Sequence, residues 1–284
     1  MILVTGATGK LGRLVIEELL KKVPASQVIA AVRNPEKAAG LAARGVQVRK
    51  ADYSHPETLG SAFNGAEKVL LISSSEVGQR AAQHKAVVEA AKKAGVRLLA
   101  YTSILHADRS RMALAAEHKA TEELIRASGL PYVFLRNGWY TENYTENLGP
   151  ALAHGALVGS AGEGRIASAT RADYAAAAVA VLTGSGHENK VYELAGDTAF
   201  TMAELAAEVS RKAGRTIAYN NLAPEQYRGV LEGAGVPGPF AAVLADSDVG
   251  ASRGELNESS GDLRRLIGRP TTPLADAVAV AFTR

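Results

Sequence analysis

The chain opens MILVTGATGKLG, with Gly6, Gly9 and Gly12 three residues apart where a first apolar run gives way to a first helical pattern. Met1–Thr5 is a short apolar run and Lys10–Val23 repeats apolar residues at helical spacing, so the glycines fall where a strand must turn sharply into a helix. Gly6 permits the tight reversal, Gly9 lets backbone N–H groups approach a ligand with no Cβ in the way, and Gly12 lets the helix pack closely on the strand. The positive end of the helix dipole faces the same turn. Residues Gly6, Ala7, Thr8, Gly9, Lys10, Leu11 and Gly12 are therefore expected to hold a dinucleotide pyrophosphate. A plain strand-to-helix connector is the alternative.

The next apolar run, Val28–Val32, ends in Arg33, Asn34 and Pro35. An NAD-specific fold usually places an acidic residue there, to accept from the ribose 2′-hydroxyl. A guanidinium forks onto a 2′-phosphate instead, so the expected cofactor is NADPH rather than NADH. Lys37, one turn on, reads either as a second cation for that phosphate or as a solvated surface lysine.

Strand-like and helix-like segments then alternate. Strands are expected at 2–5, 28–32, 46–50, 68–72, 97–101 and 132–135, and helices at 10–23, 35–43, 56–63, 79–94 and 113–128. Buried apolar strands alternating with helices imply a Rossmann-like, doubly wound parallel α/β sheet. Its ligand crevice lies beyond the carboxyl ends of the strands. Those ends are Gly6 to Leu11, Arg33, Asp52 with Tyr53, Ser73 to Ser75, Thr102 with Ser103, and Arg136 to Tyr140. Asp52 suits either an adenine amino group or the capping of its own loop. Ser73, Ser74 and Ser75 offer hydroxyls and N–H groups where a nicotinamide ribose would lie, beyond what a simple turn requires.

Regularity ends at Arg136. The stretch RNGWYTENY carries the chain's only tryptophan and two tyrosines, and reads as a site wall. Asn137 and Gly138 bring backbone close to the nicotinamide, while Trp139 and Tyr140 cover a flat ring; Trp139 as an anchor for a smaller lobe is the other reading. A second glycine-rich stretch, Gly159 to Gly164, precedes IASATRADYAAAAVAVL. Arg171 at that helix start opposes the dipole, so an anionic or carbonyl partner is expected for it, whereas Asp173 suits a first turn. Farther on, KVYELAG reads as a strand, and Thr201 with Glu204 as a capping box opening a helix that Gly214 stops. The expected organisation is a cofactor domain at 1–155, with elements around 166–195 returning to it, and a smaller C-terminal α/β substrate lobe at 196–284.

Composition narrows the partners. The 32 basic and 29 acidic side chains leave a formal charge of +3, with no cationic run of the kind that binds nucleic acid. No apolar stretch approaches the ~20 residues that cross a bilayer. The glycine turn starts so near residue 1 that no leader is expected, and the expected location is cytoplasmic. Cysteine is absent, which excludes disulfides, thiolate metal sites and cysteine nucleophiles; no metal is expected. Oligomeric state is left open, a homodimer included.

The chain resembles the NmrA-like branch of the atypical short-chain dehydrogenase/reductase family, most closely the bacterial NADPH:quinone oxidoreductases of type 2. The resemblance covers essentially the whole chain and is carried by VTGATGKLG, VPASQVIAAVRNPEKA, LLISSSEVGQRAAQHK, AYTSILHAD, LRNGWYTENY, IASATRADYAAAA and LADSDVGAS. It implies NADPH held by Gly6 to Leu11, Arg33, Ser73 to Ser75, Asn137, Gly138, Trp139, Tyr140, Thr141, Glu142 and Arg171, with a quinone reduced beside the nicotinamide.

One departure bears on the chemistry. Ordinary short-chain dehydrogenases use a tyrosine with a lysine four residues later, and none of the nine tyrosines here has one. Alcohol oxidation needs a base for the hydroxyl proton, so the missing pair counts against an alcohol dehydrogenase. A quinone is already electron-poor, and positioning it against the nicotinamide suffices. Asn137 and the Tyr140 hydroxyl are the candidate donors to its oxygen. His106 and His118 are lesser candidates for a proton donor, Tyr101 fits the sheet, and Lys119 resembles a lysine that some relatives use. Two other functions fit the same fold: reduction of triphenylmethane or azo dyes, and a non-catalytic NADP-sensing regulator.

Overall fold

The computed structural model describes residues 1–76 and 78–283; Val77, inside the LLISSSEVGQRAAQHK segment, and Arg284 lie outside the described residues. In chain order the strands and α-helices are β1 (Ile2–Thr5), α1 (Lys10–Leu20), β2 (Val28–Val32), α2 (Ala39–Ala42), β3 (Gln47–Lys50), α3 (Glu57–Ala62), β4 (Lys68–Leu71), α4 (Arg80–Lys93), β5 (Leu98–Ile104), α5 (Ala113–Ser128) and β6 (Tyr132–Asn137). There follow α6 (Glu142–Thr145), α7 (Gly149–His154), β7 (Ala156–Gly159), α8 (Arg171–Thr183), β8 (Lys190–Leu194), α9 (Met202–Ala213), β9 (Ala218–Asn221), α10 (Pro224–Gly233), α11 (Gly238–Ser252), α12 (Asp262–Ile267) and α13 (Leu274–Ala281).

These elements form two compact units. The first is Met1–Ile104 with Glu117–Asn137 and Arg171–Tyr192. Its sheet runs β3-β2-β1-β4-β5-β6-β8, and the ladders from β3 to β6 are all parallel. Strand order reverses between β1 and β4, the switch point at which a doubly wound sheet opens its crevice. Every residue of β1, β2 and β5 is buried, as strands covered on both faces require. Leu3, Ile29, Leu71, Leu99, Tyr101 and Phe134 build one core cluster with Val87 and Val88 of α4. On α1 the buried stripe is Leu11, Val15, Ile16 and Leu19, and α8 packs on α1.

Two strands outrun their sequence reading. β5 continues to Ile104 and β6 to Asn137, so Thr102, Ser103, Arg136 and Asn137 are ladder residues rather than loop residues, Asn137 standing in register with Ile104. Polar side chains stay in these strands because a buried partner receives them. Glu122 of α5 takes both Nε and Nη2 of Arg136, at 2.9 and 2.8 Å, and the Ser103 hydroxyl at 2.7 Å. A buried, bidentate ion pair of this kind is tolerated because its remaining lone pairs are also satisfied.

The second unit is Leu105–Ala116, Gly138–Thr170 and Glu193–Arg284. Residues 138–155, which the sequence reading places with the cofactor domain, fall here. Its small sheet pairs β7 with β9 in parallel. The Thr201–Glu204 capping box opens α9, and Gly214 ends it in the left-handed conformation, both as the sequence predicts.

Candidate functional site

A cavity of about 460 Å³ opens in the first unit at the β1/β4 switch point, lined by Gly6, Thr8, Gly9, Arg13, Arg33, Lys37, Asp52, Tyr53 and Ser73 to Glu76, with Ala51, Ile72 and Gln83 completing its wall. Seven of the sequence-predicted site residues therefore meet in one place: Gly6, Thr8, Gly9, Arg33, Ser73, Ser74 and Ser75.

The glycine loop has the geometry that its spacing implies. Gly6 takes φ +58°, and a Cβ on Gly12 would lie 2.2 Å from the Gly6 carbonyl oxygen and 2.8 Å from Cα of Ala7. Only a hydrogen fits there. Gly9 is the N-cap of α1, and the helix start has no side-chain cap. An anion is the natural partner for such a helix start. Ala7, Leu11 and Gly12 are buried behind the loop, where they support it rather than line the cavity.

Cations ring the space. Arg13, one turn into α1, reaches back with Nε to the Thr8 carbonyl at 2.9 Å, and Arg33 extends from the end of β2 with 70% of its side chain exposed. Lys37 is the third. The carboxylates opposite are Asp52, which accepts from the Ser54 N–H at 3.0 Å and so caps its own loop, and Glu76, whose Oε1 lies 2.8 Å from Nη1 of Arg33. Arg13, Glu76 and Gln83 were not predicted. Arg13 was within reach of sequence reasoning, since it follows Gly9 by one helical turn; the other two depend on where α4 packs.

The serine turn is fastened from below. Ile72 N–H donates to Thr5 Oγ1 at 3.0 Å, Ser73 N–H to Thr102 Oγ1 at 2.8 Å and Ser74 N–H to His84 Nε2 at 3.0 Å. This corrects one expectation: the N–H groups of Ser73 and Ser74 are engaged within the fold, leaving hydroxyls to face a ligand. Arg80, almost wholly buried, donates from Nε to the Ser74 carbonyl at 2.8 Å and pairs with Glu117 at 3.1 Å. Because His84 accepts at Nε2, its proton sits on Nδ1 and points to Thr121 Oγ1, 3.0 Å away. Burial, reinforced by the Arg80 charge, pushes His84 down to about 3, so it is a neutral strut.

The other histidines serve the fold. His118 pairs with the Tyr101 hydroxyl at 2.7 Å in the core, and burial holds it neutral, well below the usual histidine range; Tyr101 belongs to the sheet, as its sequence suggests. In the second unit, His106 adopts φ +54° and sets Nε2 2.8 Å from Glu258. Neither lines the cavity. Lys10 and Lys119 are exposed.

Seven more predicted residues, Asn137 to Glu142 and Arg171, lie outside this cavity. Asn137 closes β6 and is buried, and Arg171 opens α8, also buried. Beyond Asn137 the chain is pinned within the second unit: Gly138 N–H donates to the Leu194 carbonyl at 2.8 Å, Thr141 N–H to the Ala169 carbonyl at 3.0 Å, and Ala169 N–H to the Trp139 carbonyl at 3.1 Å. Trp139, Tyr140 and Glu142 are half-buried. The Thr141 hydroxyl pairs with Ser168 at 2.8 Å, and both line a second cavity of about 570 Å³ with Arg165, Phe200 and Arg264.

A family profile described as NAD(P)H-binding matches residues 6–185. Quinone oxidoreductase 2 of Escherichia coli is 56% identical over 282 residues, 99% of each chain, and an NmrA-like family domain-containing oxidoreductase of Aspergillus flavus is 30% identical over 286 residues, 97% of this chain and 93% of that one. The chain belongs to the NAD(P)H-binding, NmrA-like family. Solved structures agree with this NmrA-like assignment. The crystal structure of the E. coli NADPH-dependent quinone oxidoreductase complexed with NADPH matches with a TM-score of 0.97, covering 99% of this chain and 100% of that one. Triphenylmethane reductase of Citrobacter sp., complexed with NADP(H), matches at 46% identity with a TM-score of 0.95, again over 99% and 100%.

Proposed function

We propose that this NmrA-like protein is an NADPH-dependent quinone reductase that works by direct transfer with no flavin between donor and acceptor. The observation that carries the reading is the whole-chain likeness to E. coli quinone oxidoreductase 2. The cavity supports it independently: a helix start without a side-chain cap, a glycine whose Cβ position is closed by backbone, and three cations converge where a nucleotide's phosphates would sit.

NADPH, when bound, supplies the two electrons and hydrogen that a quinone ring takes up. Gly6 to Gly12 hold its pyrophosphate, Arg33 its 2′-phosphate and Ser73 to Ser75 its ribose hydroxyls, with Arg13 a further cation. Asn137 and the Tyr140 hydroxyl are the proposed donors to the acceptor's oxygen, and Gly138, Trp139, Thr141, Glu142 and Arg171 further proposed contacts for NADPH. No tyrosine-lysine pair is required, because the reduced ring is a stabilised phenolate that collects its proton from water.

Steady NADPH consumption with a small benzoquinone is the expected result, with NADH the poorer donor. Arg33→Asp lowers kcat/KM for NADPH at least about tenfold, since a charge-assisted phosphate contact becomes a repulsion. No turnover with any quinone, or equal use of both nucleotides, overturns the proposal. The Citrobacter likeness favours triphenylmethane dyes as a second acceptor class. A bleaching assay giving higher kcat/KM than any quinone would reassign the substrate.

A further inference from the structure

Glu76 has no role in the function proposed above, yet both oxygens of its carboxylate have partners in the cavity wall. Its Oε1 is 2.8 Å from Nη1 of Arg33 and its Oε2 accepts from Nε2 of Gln83 at 2.8 Å. Gln83 is 5% exposed, and the same amide nitrogen is 3.0 Å from Ser54 Oγ. The backbone N–H of Glu76 donates to Ser74 Oγ at 3.2 Å. Main chain and carboxylate are thus fastened together, and the charge is fixed on the one guanidinium that extends from the end of β2.

We infer that Glu76 determines cofactor selectivity: its carboxylate competes with the 2′-phosphate of NADPH for Arg33 and, toward NADH, serves as the acceptor for the ribose 2′-hydroxyl. The inference rests on reading the cavity as an NADPH site. NAD-specific folds carry their acidic acceptor at the end of the second strand. Here that position is Arg33, and the carboxylate arrives from the turn after β4 instead, tied to that arginine. Its two effects act in one direction. A phosphate carrying close to two negative charges meets a resident anion on its own cationic partner, so NADPH is bound less tightly than Arg33 alone would allow. A neutral 2′-hydroxyl suffers no such repulsion and gains a charged acceptor. Glu76 therefore narrows the preference that Arg33 creates.

The test is fluorescence titration of NADPH and NADH against the wild-type chain, Glu76→Gln and, as a control for net charge, Glu57→Gln on the exposed start of α3. Glutamine keeps an acceptor for Arg33 and Gln83 but removes the charge. Glu76→Gln should tighten NADPH about threefold to fivefold, the scale of a partly exposed ion pair, and weaken NADH; unchanged NADH binding overturns the acceptor role. Glu57→Gln should match wild type. Glu76→Gln binding NADPH as wild type does, or more weakly, overturns the inference, the weaker case making Glu76 a mere support for Arg33. Equal tightening by Glu57→Gln overturns it too, by assigning the effect to overall charge. A wild-type chain that binds neither nucleotide removes the cofactor reading, and this inference with it; binding without quinone turnover overturns only the proposed reaction.

Discussion

Two short glycine-rich segments, GATGKLG in the first unit and GSAGEG in the second, differ in whether a side chain of the fold caps them. At residues 159–164 the donors are already taken: Ser160 N–H by the Asp248 carboxylate at 2.7 Å, Ala161 N–H by the Tyr219 hydroxyl at 3.0 Å and Gly162 N–H by Asn221 at 2.8 Å. An internal anion fills the place that a ligand's would. At residues 6–12 the helix start has no side-chain cap. Glycine spacing therefore identifies a tight backbone, while the destination of its N–H groups separates a binding loop from a structural one.

The sharpest way to break this contrast is to add the same methyl group to each loop. A Cβ on Gly164 would lie 2.3 Å from the Ala251 carbonyl oxygen, nearly as close as the 2.2 Å contact at Gly12. Both alanine variants should lose about 3 kcal/mol or more in urea unfolding. Only Gly12→Ala should also lose NADPH affinity, at least about tenfold, in whatever fraction folds. Equal loss of binding in both would erase the distinction.

Asp248→Asn addresses the internal anion. Burial pushes the Asp248 carboxyl up from 3.8 to about 6. The folded state thus holds this proton more tightly than the unfolded chain, and the group's contribution declines as pH rises from about 4 through about 6, then stays level. Asparagine can still accept from Ser160 but carries no charge. The variant should gain about 2 kcal/mol over wild type at pH 7 and nothing at pH 4, with NADPH stoichiometry unchanged at one. A pH-independent difference would mean that Asp248 is solvated.

His84→Leu probes the first unit with the smallest effect. Losing the acceptor of the Ser74 N–H should cost about 1 kcal/mol at pH 7 and weaken NADPH a few-fold. Its acid dependence runs opposite to that of Asp248: with the imidazole held near 3 when folded, against 6.5 when free, stability is lost as pH falls below 6.5, and the leucine variant loses this component. Unaltered NADPH affinity would detach the serine turn from the site.

Much of this was legible in advance because parallel strands covered on both faces leave an unmistakable record. Ile2–Thr5 and Val28–Val32 were predicted to the residue, and Gly6, Arg33 and the three serines line one cavity. Where the reading fell short, a buried polar group had a distant partner. Thr102 and Ser103 look like a strand end until Ser73 is known to meet the first and Glu122 the second, and His84, Gln83 and Arg80 look like a solvated helix face because α4 buries residues on more than one side. Pairings such as Arg33 with Glu76 join residues far apart in the chain, and nothing in local periodicity reports them.

The first unit is not contiguous, and synthesis feels it. Every residue lining the switch-point cavity has been made once Gln83 is added, yet α8, which packs on the helix that follows the glycine loop, emerges only after the excursion that begins the other unit. A ribosome-bound chain must therefore carry the cavity's lining on an unfinished scaffold. Until α8 arrives, the side of α1 that it covers lacks its packing partner, an exposed apolar surface of the kind that invites misassembly.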